Sequence, residues 1–120
     1  MHDMNLLNET IAVLNAHRKT PEDVRFVVGL DPAKETVWEL STPRDLVRTS
    51  WAEFEKLANR TYSSGYGGIE VIIATKIVGK DFWLERHEYD GSEWWEYKEL
   101  PKAEDYPEGN IKVFEDDEYC

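Results

Sequence analysis

Two short runs near the C-terminal end of the chain have residue types and spacing that could do chemistry. Trp83, Glu85, His87 and Tyr89 fall at two-residue steps along one run, and Trp94, Glu96 and Lys98 along the next. Such alternation places each set on a single face of a β-strand. Asp90-Gly91 between them is a favoured two-residue hairpin turn. A hairpin closed there sets Glu85 opposite Glu96, with His87 beside them. Two carboxylates around an imidazole are the parts of an acid/base pair. Like charges directly opposite on a sheet also repel until a cation relieves them. Lys76, Lys98 or a basic group from another molecule meets that need. Three uses therefore compete: a solvated face with strand-favouring aromatics, a partner-binding face, and an acid/base site. The expected partner-binding set is Trp83, Glu85, His87, Glu88, Tyr89, Glu93, Trp94 and Glu96, extended by Asp116, Asp117 and Glu118 of the terminal acidic run.

Other chemistry lacks its usual parts. Glu85 and His87 have a spacing that can put two ligands on one side of a strand. No second histidine follows at finger or zincin spacing, and Cys120 stands alone. Gly65-Tyr66-Gly67-Gly68 has the glycine content of a phosphate loop, but it precedes a strand, whereas phosphate loops follow one and open a helix. Its glycines fit a helix stop. Ser50 has no nucleophile-elbow context, and His2, His17 and His87 show no triad spacing. The expectation is a non-enzymatic protein with no catalytic residue, no metal and no cofactor.

The elements that must position the two runs are legible from periodicity. Met4, Leu7, Ile11 and Leu14 recur at helical spacing, with Asp3 as a candidate cap and His17, Arg18 and Lys19 at the C-terminal end. Thr20-Pro21-Glu22-Asp23 is a capped turn. Val24–Leu30 is a strand, Asp31-Pro32 a turn, and Thr36–Leu40 a second strand that would complete a hairpin. Ser50-Trp51-Ala52-Glu53 matches the S-x-x-E capping box. The helix it opens carries Trp51, Phe54, Leu57 and Ala58 on one side and is expected to reach about Thr61. Ile69–Val78, Phe82–Tyr89 and Ser92–Leu100 form a three-stranded meander, with turns at Gly79-Lys80 and Asp90-Gly91. Those turns pair Ile77 with Phe82, Leu84 with Tyr97, and Arg86 with Trp95. One face then carries Ile69, Val71, Ile73, Ile77, Phe82, Leu84, Trp95 and Tyr97, with Arg86 over the Trp95 ring. Ile111, Val113 and Phe114 suggest a further short edge strand. The fold class is α+β: one domain over residues 1–120, an antiparallel sheet of about four or five strands including the C-terminal three-stranded meander, and two helices on one face. Residues 115–120 form an acidic, fraying tail.

Charge narrows the function. The chain of 120 residues carries 14 Lys and Arg against 25 Asp and Glu, a net charge of −11. That balance disfavours direct binding to nucleic acid or to an anionic membrane. The excess is uneven: residues 1–84 hold 12 acidic and 10 basic side chains, whereas residues 85–120 hold 13 and 4. One cysteine allows no internal disulfide, and no secretory h-region or membrane span is evident, so the expected location is the cytoplasm. Carboxylates spread over a folded scaffold among aromatic rings can occupy a basic groove that normally holds phosphates. The expected partner is a basic protein surface, in particular that of a nuclease or another nucleic-acid-binding enzyme.

Gly65-Tyr66-Gly67-Gly68 followed by the run from Trp83 to Glu96, WLERHEYDGSEWWE, resembles a signature of small acidic proteins from phages and prophages. The likeness spans roughly residues 50–101. It implies a phage-type protein acting in the host cytoplasm. By size, charge and source it is similar to inhibitors of host defence, the anti-CRISPR proteins among them. Immunity-type or antitoxin-type proteins that cover a toxin share the same size and charge, and a small nucleotide-binding protein or enzyme using the His87 face is the third class.

Overall fold

The computed structural model describes residues 3–34, 45–63 and 70–115. The expected strand Thr36–Leu40, the Gly65-Tyr66-Gly67-Gly68 loop, Ile69, and the tail residues Asp116, Asp117 and Glu118 lie outside the described residues. The architecture is α+β. A five-stranded antiparallel sheet has the order β3-β2-β5-β6-β7, and a two-stranded sheet pairs β1 with β4. No helix among the described residues is long and apolar enough to cross a membrane.

The chain opens with β1 (Asp3–Asn5) and turns at once into α1 (Leu6–Ala16). Asn5, not Asp3, caps α1: its side-chain oxygen accepts the Asn8 amide at 2.9 Å, while Asp3 is committed to pairing with Ser63 of β4. A capped 3-10 turn, Pro21–Asp23, leads into β2 (Val24–Leu30), as the sequence indicates. The hairpin partner of β2 among the described residues is β3 (Leu46–Thr49), an element the hydrophobic pattern does not announce. Ser50 then caps α2 (Trp51–Ala58), accepting the Glu53 amide at 3.2 Å. The helix stops short of Thr61, because residues 61–63 form β4 (Thr61–Ser63) against β1. Phe54 and Ala58 are buried, whereas Leu57, expected beside them, is 72% exposed at the margin of an open concavity.

The meander consists of β5 (Lys76–Gly79), β6 (Phe82–Tyr89) and β7 (Ser92–Glu99). Its second turn is the expected one: Asp90 and Gly91 both take positive φ, 50° and 85°, as a mirror-image hairpin turn requires. Leu84 faces Tyr97 and Arg86 faces Trp95. The first turn is corrected by one residue. It lies at Lys80-Asp81, so Ile77 pairs with Leu84 and not with Phe82. Gly79 belongs to the strand because the Phe82 ring occupies the place where a Cβ would stand. The slip moves the pairing by two residues, so Ile77, Phe82 and Leu84 keep the same face. The first strand is also shorter than expected. Residues 70–75 are irregular, and the amides of Glu70 and Val71 donate to the Glu93 carboxylate of β7 where a ladder partner would be needed. The edge strand expected at Ile111, Val113 and Phe114 fails as well. These three residues lie in an irregular segment, 82%, 69% and 67% exposed.

Both helices pack on one face of the large sheet. Leu14, Phe54 and Ala58 meet Val27, Ile77, Phe82, Leu84 and Trp95 in a single core cluster. Alternation along β6 and β7 therefore sorts every residue of the two strands into a helix-covered side and an outer side.

Candidate functional site

The outer side of β6 and β7 brings together Trp83, Glu85, His87, Trp94, Glu96 and Lys98. Glu85 stands opposite Glu96, and His87 opposite Trp94, as the spacing requires. Each carboxylate is tethered by the tryptophan two residues before it. Trp83 Nε1 donates to Glu85 Oε1 at 2.7 Å, and Trp94 Nε1 donates to Glu96 Oε2 at 3.1 Å. The free oxygens turn inward to His87, whose Nε2 lies 2.7 Å from Glu85 Oε2 and 3.4 Å from Glu96 Oε1. Lys98 Nζ also reaches Glu96 Oε1 at 3.4 Å.

These contacts set the protonation state. The indole N–H of Trp83, followed by His87 and Lys98, holds the Glu85 carboxyl below its ordinary range. The Trp94 indole does the same for Glu96, with help from Lys98 and His87. Hydrogen bonds to the charged form lower an acid's pKa. The repulsion expected between the opposed carboxylates is thus relieved from within the chain, by two indoles, a histidine and a lysine. The side chains stay between one quarter and two fifths exposed: 27% for Glu85, 36% for Glu96 and 37% for His87. Tyr89, at the hairpin tip, is 76% exposed.

Two residues of the expected set leave this face. Glu93 is 4% exposed and sits on the helix side. There its Oε1 accepts Arg86 Nη2 at 2.8 Å and the Val71 amide at 3.1 Å, and its Oε2 accepts the Glu70 amide at 2.7 Å. It is an internal clamp. Parity is the reason, since residue 93 alternates with 94 and shares its side with Trp95 and Tyr97. Glu88 is exposed, but by the same parity it lies on the helix side, opposite Glu93 at the last rungs of the hairpin. Asp116, Asp117 and Glu118 fall outside the described residues.

Around Glu93 lies a buried polar cluster that periodicity does not reveal. Arg86 is 4% exposed. Its guanidinium lies 4.8 Å from the Trp95 ring centre and 5.6 Å from that of Tyr62. Arg86 Nη2 donates to the Tyr62 hydroxyl at 3.1 Å, and Nη1 is 3.5 Å from Glu9 Oε2. The Tyr62 hydroxyl donates in turn to Glu9 Oε1 at 2.5 Å. Beside it, Trp95 Nε1 donates to the buried Thr10 hydroxyl at 2.8 Å. The Arg86–Trp95 contact follows from register alone. Glu9 and Tyr62 join through α1 and β4, and only the tertiary fold could show that.

Charge on the outer face is more balanced than composition suggests. By register, Lys76 faces Glu85, Lys98 faces Trp83, and Arg48 faces Val28 of β2. The acidic excess among the described residues lies instead at the rim and beyond: Glu88 and Asp90 at the hairpin tip, then Glu99, Glu104, Asp105, Glu108 and Glu115, all exposed. The face is flat. A cavity of about 470 Å³ is lined by neither tryptophan, neither glutamate nor His87; it lies beside α2. Among the described residues no group of three or more His, Cys, Asp or Glu side chains is arranged to hold a metal ion. No protein-family pattern, curated protein or solved structure matches the chain.

Proposed function

We propose that the chain is an acidic, phage-type binding protein that inhibits a nucleic-acid-processing defence enzyme of the host, in the manner of anti-CRISPR proteins. The outer face of the β6–β7 hairpin supplies the docking surface. The observation that carries this reading is the tethering of Glu85 and Glu96 by the Trp83 and Trp94 indoles. It fixes two carboxylates in their ionised form and immobilises two large rings beside them. A surface already ordered in this way loses little side-chain freedom when it docks. Aromatic rings next to fixed charge suit a protein surface that presents cationic side chains. The acidic rim and the exposed acidic residues beyond β7 then contribute attraction at longer range and faster encounter. The near balance of charge on the face itself favours a second reading, an immunity-type protein that covers a toxin through its aromatic residues.

Capture from a bacterial lysate at low and high salt, with mass spectrometry, identifies the partner, and titration then separates the readings. Trp83→Ala and Trp94→Ala should each weaken binding by roughly 30-fold, about 2 kcal/mol, as desolvated anchors do. Neutralising Glu88, Glu99, Glu104 and Glu108 together should slow association and reduce its salt dependence, while each alone does little. Salt-insensitive binding that survives the fourfold change would rule out electrostatic inhibition. A toxin as the captured partner would establish the second reading.

A further inference from the structure

β7 forms one edge of the large sheet and β3 the other. β7 has eight residues against the four of β3, and it pairs with β6 one to one, without a bulge. Exposed edges are usually kept short, bulged or broken by proline. Ser92–Glu99 has none of these features. The two-residue turn at Asp90-Gly91 makes Tyr89 and Ser92 a hydrogen-bonded pair, so Ser92, Trp94, Glu96 and Lys98 turn their backbone groups toward β6. Glu93, Trp95, Tyr97 and Glu99 turn theirs away from the sheet. Among the described residues nothing bonds to those outward amides and carbonyls.

One flank of α1 overhangs the same edge. Arg86 and Trp95 share a rung; Glu9 lies beside Arg86, and Thr10 accepts from Trp95. Ile11, two residues on from Glu9, lies on the opposite flank of the helix and so faces past β7. Ile11 and Leu7, one turn earlier, are half-buried.

The edge is complementary to itself. When two β7 strands pair antiparallel, a two-fold axis passes through one residue position. An axis at Trp95 brings no opposite charges together. An axis at Glu96 opposes that residue to its own copy, and an axis at Lys98 does the same for the lysine, both unfavourable. An axis at Tyr97 sets Glu96 against Lys98 of the second copy, and Lys98 against its Glu96. The outward groups of Trp95, Tyr97 and Glu99 then meet those of Glu99, Tyr97 and Trp95. Leu100, 54% exposed, comes opposite Trp94 of the second copy.

We infer that β7 of one copy pairs antiparallel with β7 of a second copy about a two-fold axis at Tyr97, joining two five-stranded sheets into one. The occupant is a second copy because this register satisfies the charges of both strands with no other molecule, and the two-fold closes the assembly. The axis stands normal to the sheet. The α1 flanks therefore meet on one side, and the two outer faces lie side by side on the other, with the docking face proposed above left open.

The test is the mass of the full chain in solution, followed over a wide concentration range by sedimentation, with amide hydrogen exchange at both ends of that range. The expected result is a reversible monomer–dimer equilibrium. The Tyr97 and Glu99 amides should become protected as the dimer forms, while the Lys98 amide, which faces β6, is protected throughout. Glu96→Lys and Lys98→Glu should each weaken dimerisation by about tenfold or more, since each sets like charges opposite on both sides of the axis. Circular dichroism should be unchanged, because the two side chains are 36% and 42% exposed. Mixed together, the two variants should form a heterodimer about as strong as the wild-type dimer, because every opposed pair then joins unlike charges. A chain that is monomeric at every concentration overturns the inference. So does a dimer that leaves the Tyr97 and Glu99 amides unprotected, one that either variant forms as readily as the wild type, or a pair of folded variants that do not combine.

Discussion

Glu85 and Glu93 are both strand glutamates of the same hairpin, eight residues apart, and they have opposite fates. Glu85 points outward, keeps 27% of its side-chain surface, and binds an indole and a histidine. Glu93 points inward, keeps 1%, and binds a guanidinium and two backbone amides. Glu85 has two such partners and Glu93 three, a difference too small to separate their fates. The solvent does. Around Glu85 water screens every charge, and losing a partner leaves a carboxylate that water can serve. Glu93 is buried from bulk solvent, so its protein partners satisfy a charge that would be costly to leave unpaired. The two faces teach that the same residue type is a replaceable surface charge on one side of a strand and a structural clamp on the other.

Glu93→Ala breaks the comparison most severely. It leaves the buried Arg86 charge with only the Glu9 carboxylate, at 3.5 Å, as its counter-ion and takes the acceptor from the Glu70 and Val71 amides. Removing one partner of a buried ion pair costs about 3–5 kcal/mol, a large part of the about 5–15 kcal/mol that a domain has. Denaturant unfolding of Glu93→Ala beside Glu96→Ala measures the contrast. Equal midpoints for the two variants would mean that the inner cluster is no more obligatory than the outer ladder.

A smaller effect comes from the tyrosines of the inner side. Burial, then the bond to Glu9, pushes the Tyr62 hydroxyl up to about 12; burial, then Glu99, does the same for Tyr97. The sign follows from proton binding. The unfolded tyrosine ionises near 10 while the folded one keeps its proton. Folding therefore takes up protons between pH 10 and about 12, and stability is complete below 10 and lost across that window. Urea midpoints measured up that range should fall, and Tyr62→Phe should flatten the fall. Absorbance at 295 nm should show two hydroxyls titrating near the top of the window. A midpoint that is flat from pH 10 to 12 would contradict the hydroxyl–carboxylate bonds of Tyr62 and Tyr97.

What the sequence discloses follows the range of the interactions. The β6–β7 hairpin is legible residue by residue, because its register is set by Asp90-Gly91 and by strict alternation. Parity alone assigns Glu93 and Glu88 to the helix side; grouping them with the outer carboxylates by charge is what misplaces them. The Gly79-Lys80 turn misleads because a glycine needed for the Phe82 ring looks like a glycine needed for a turn. The strand over residues 70–75 fails because a side chain from β7 takes its amides, which no local pattern encodes. β3 is four residues long, too short for its alternation to stand out beside Thr42-Pro43. The Glu9–Tyr62–Arg86 cluster joins three elements distant in sequence, and the tryptophan tethers on Glu85 and Glu96 depend on rotamers.

The mildest change sharpens the comparison from the outer side. Glu85 and Glu96 have folded pKa values below their ordinary 4.5, Glu85 chiefly through Trp83 and Glu96 chiefly through Trp94. A depressed carboxyl pKa contributes stability that is present above the unfolded value and is lost as pH falls through the folded one. The contribution of the ladder should therefore be complete near neutrality and be lost as pH falls below the ordinary carboxyl value of 4.5 and on through the lower folded ones. Both side chains are substantially solvated, so the effect is small beside that of Glu93. It is best read as a difference: the urea midpoint of wild type minus that of the Glu85→Gln, Glu96→Gln double variant, followed from neutral to acid pH. The difference should shrink toward zero as the wild-type carboxylates take up protons, because the variant has none to lose there. Trp83→Phe, which removes one indole donor and keeps an aromatic ring, should shrink the Glu85 part of that loss and complete it at higher pH. A difference that stays constant down to pH 3 would mean that the substitutions act through packing. The ladder would then be merely a well-packed surface, and the contrast between the two faces would lie in shape and not in charge.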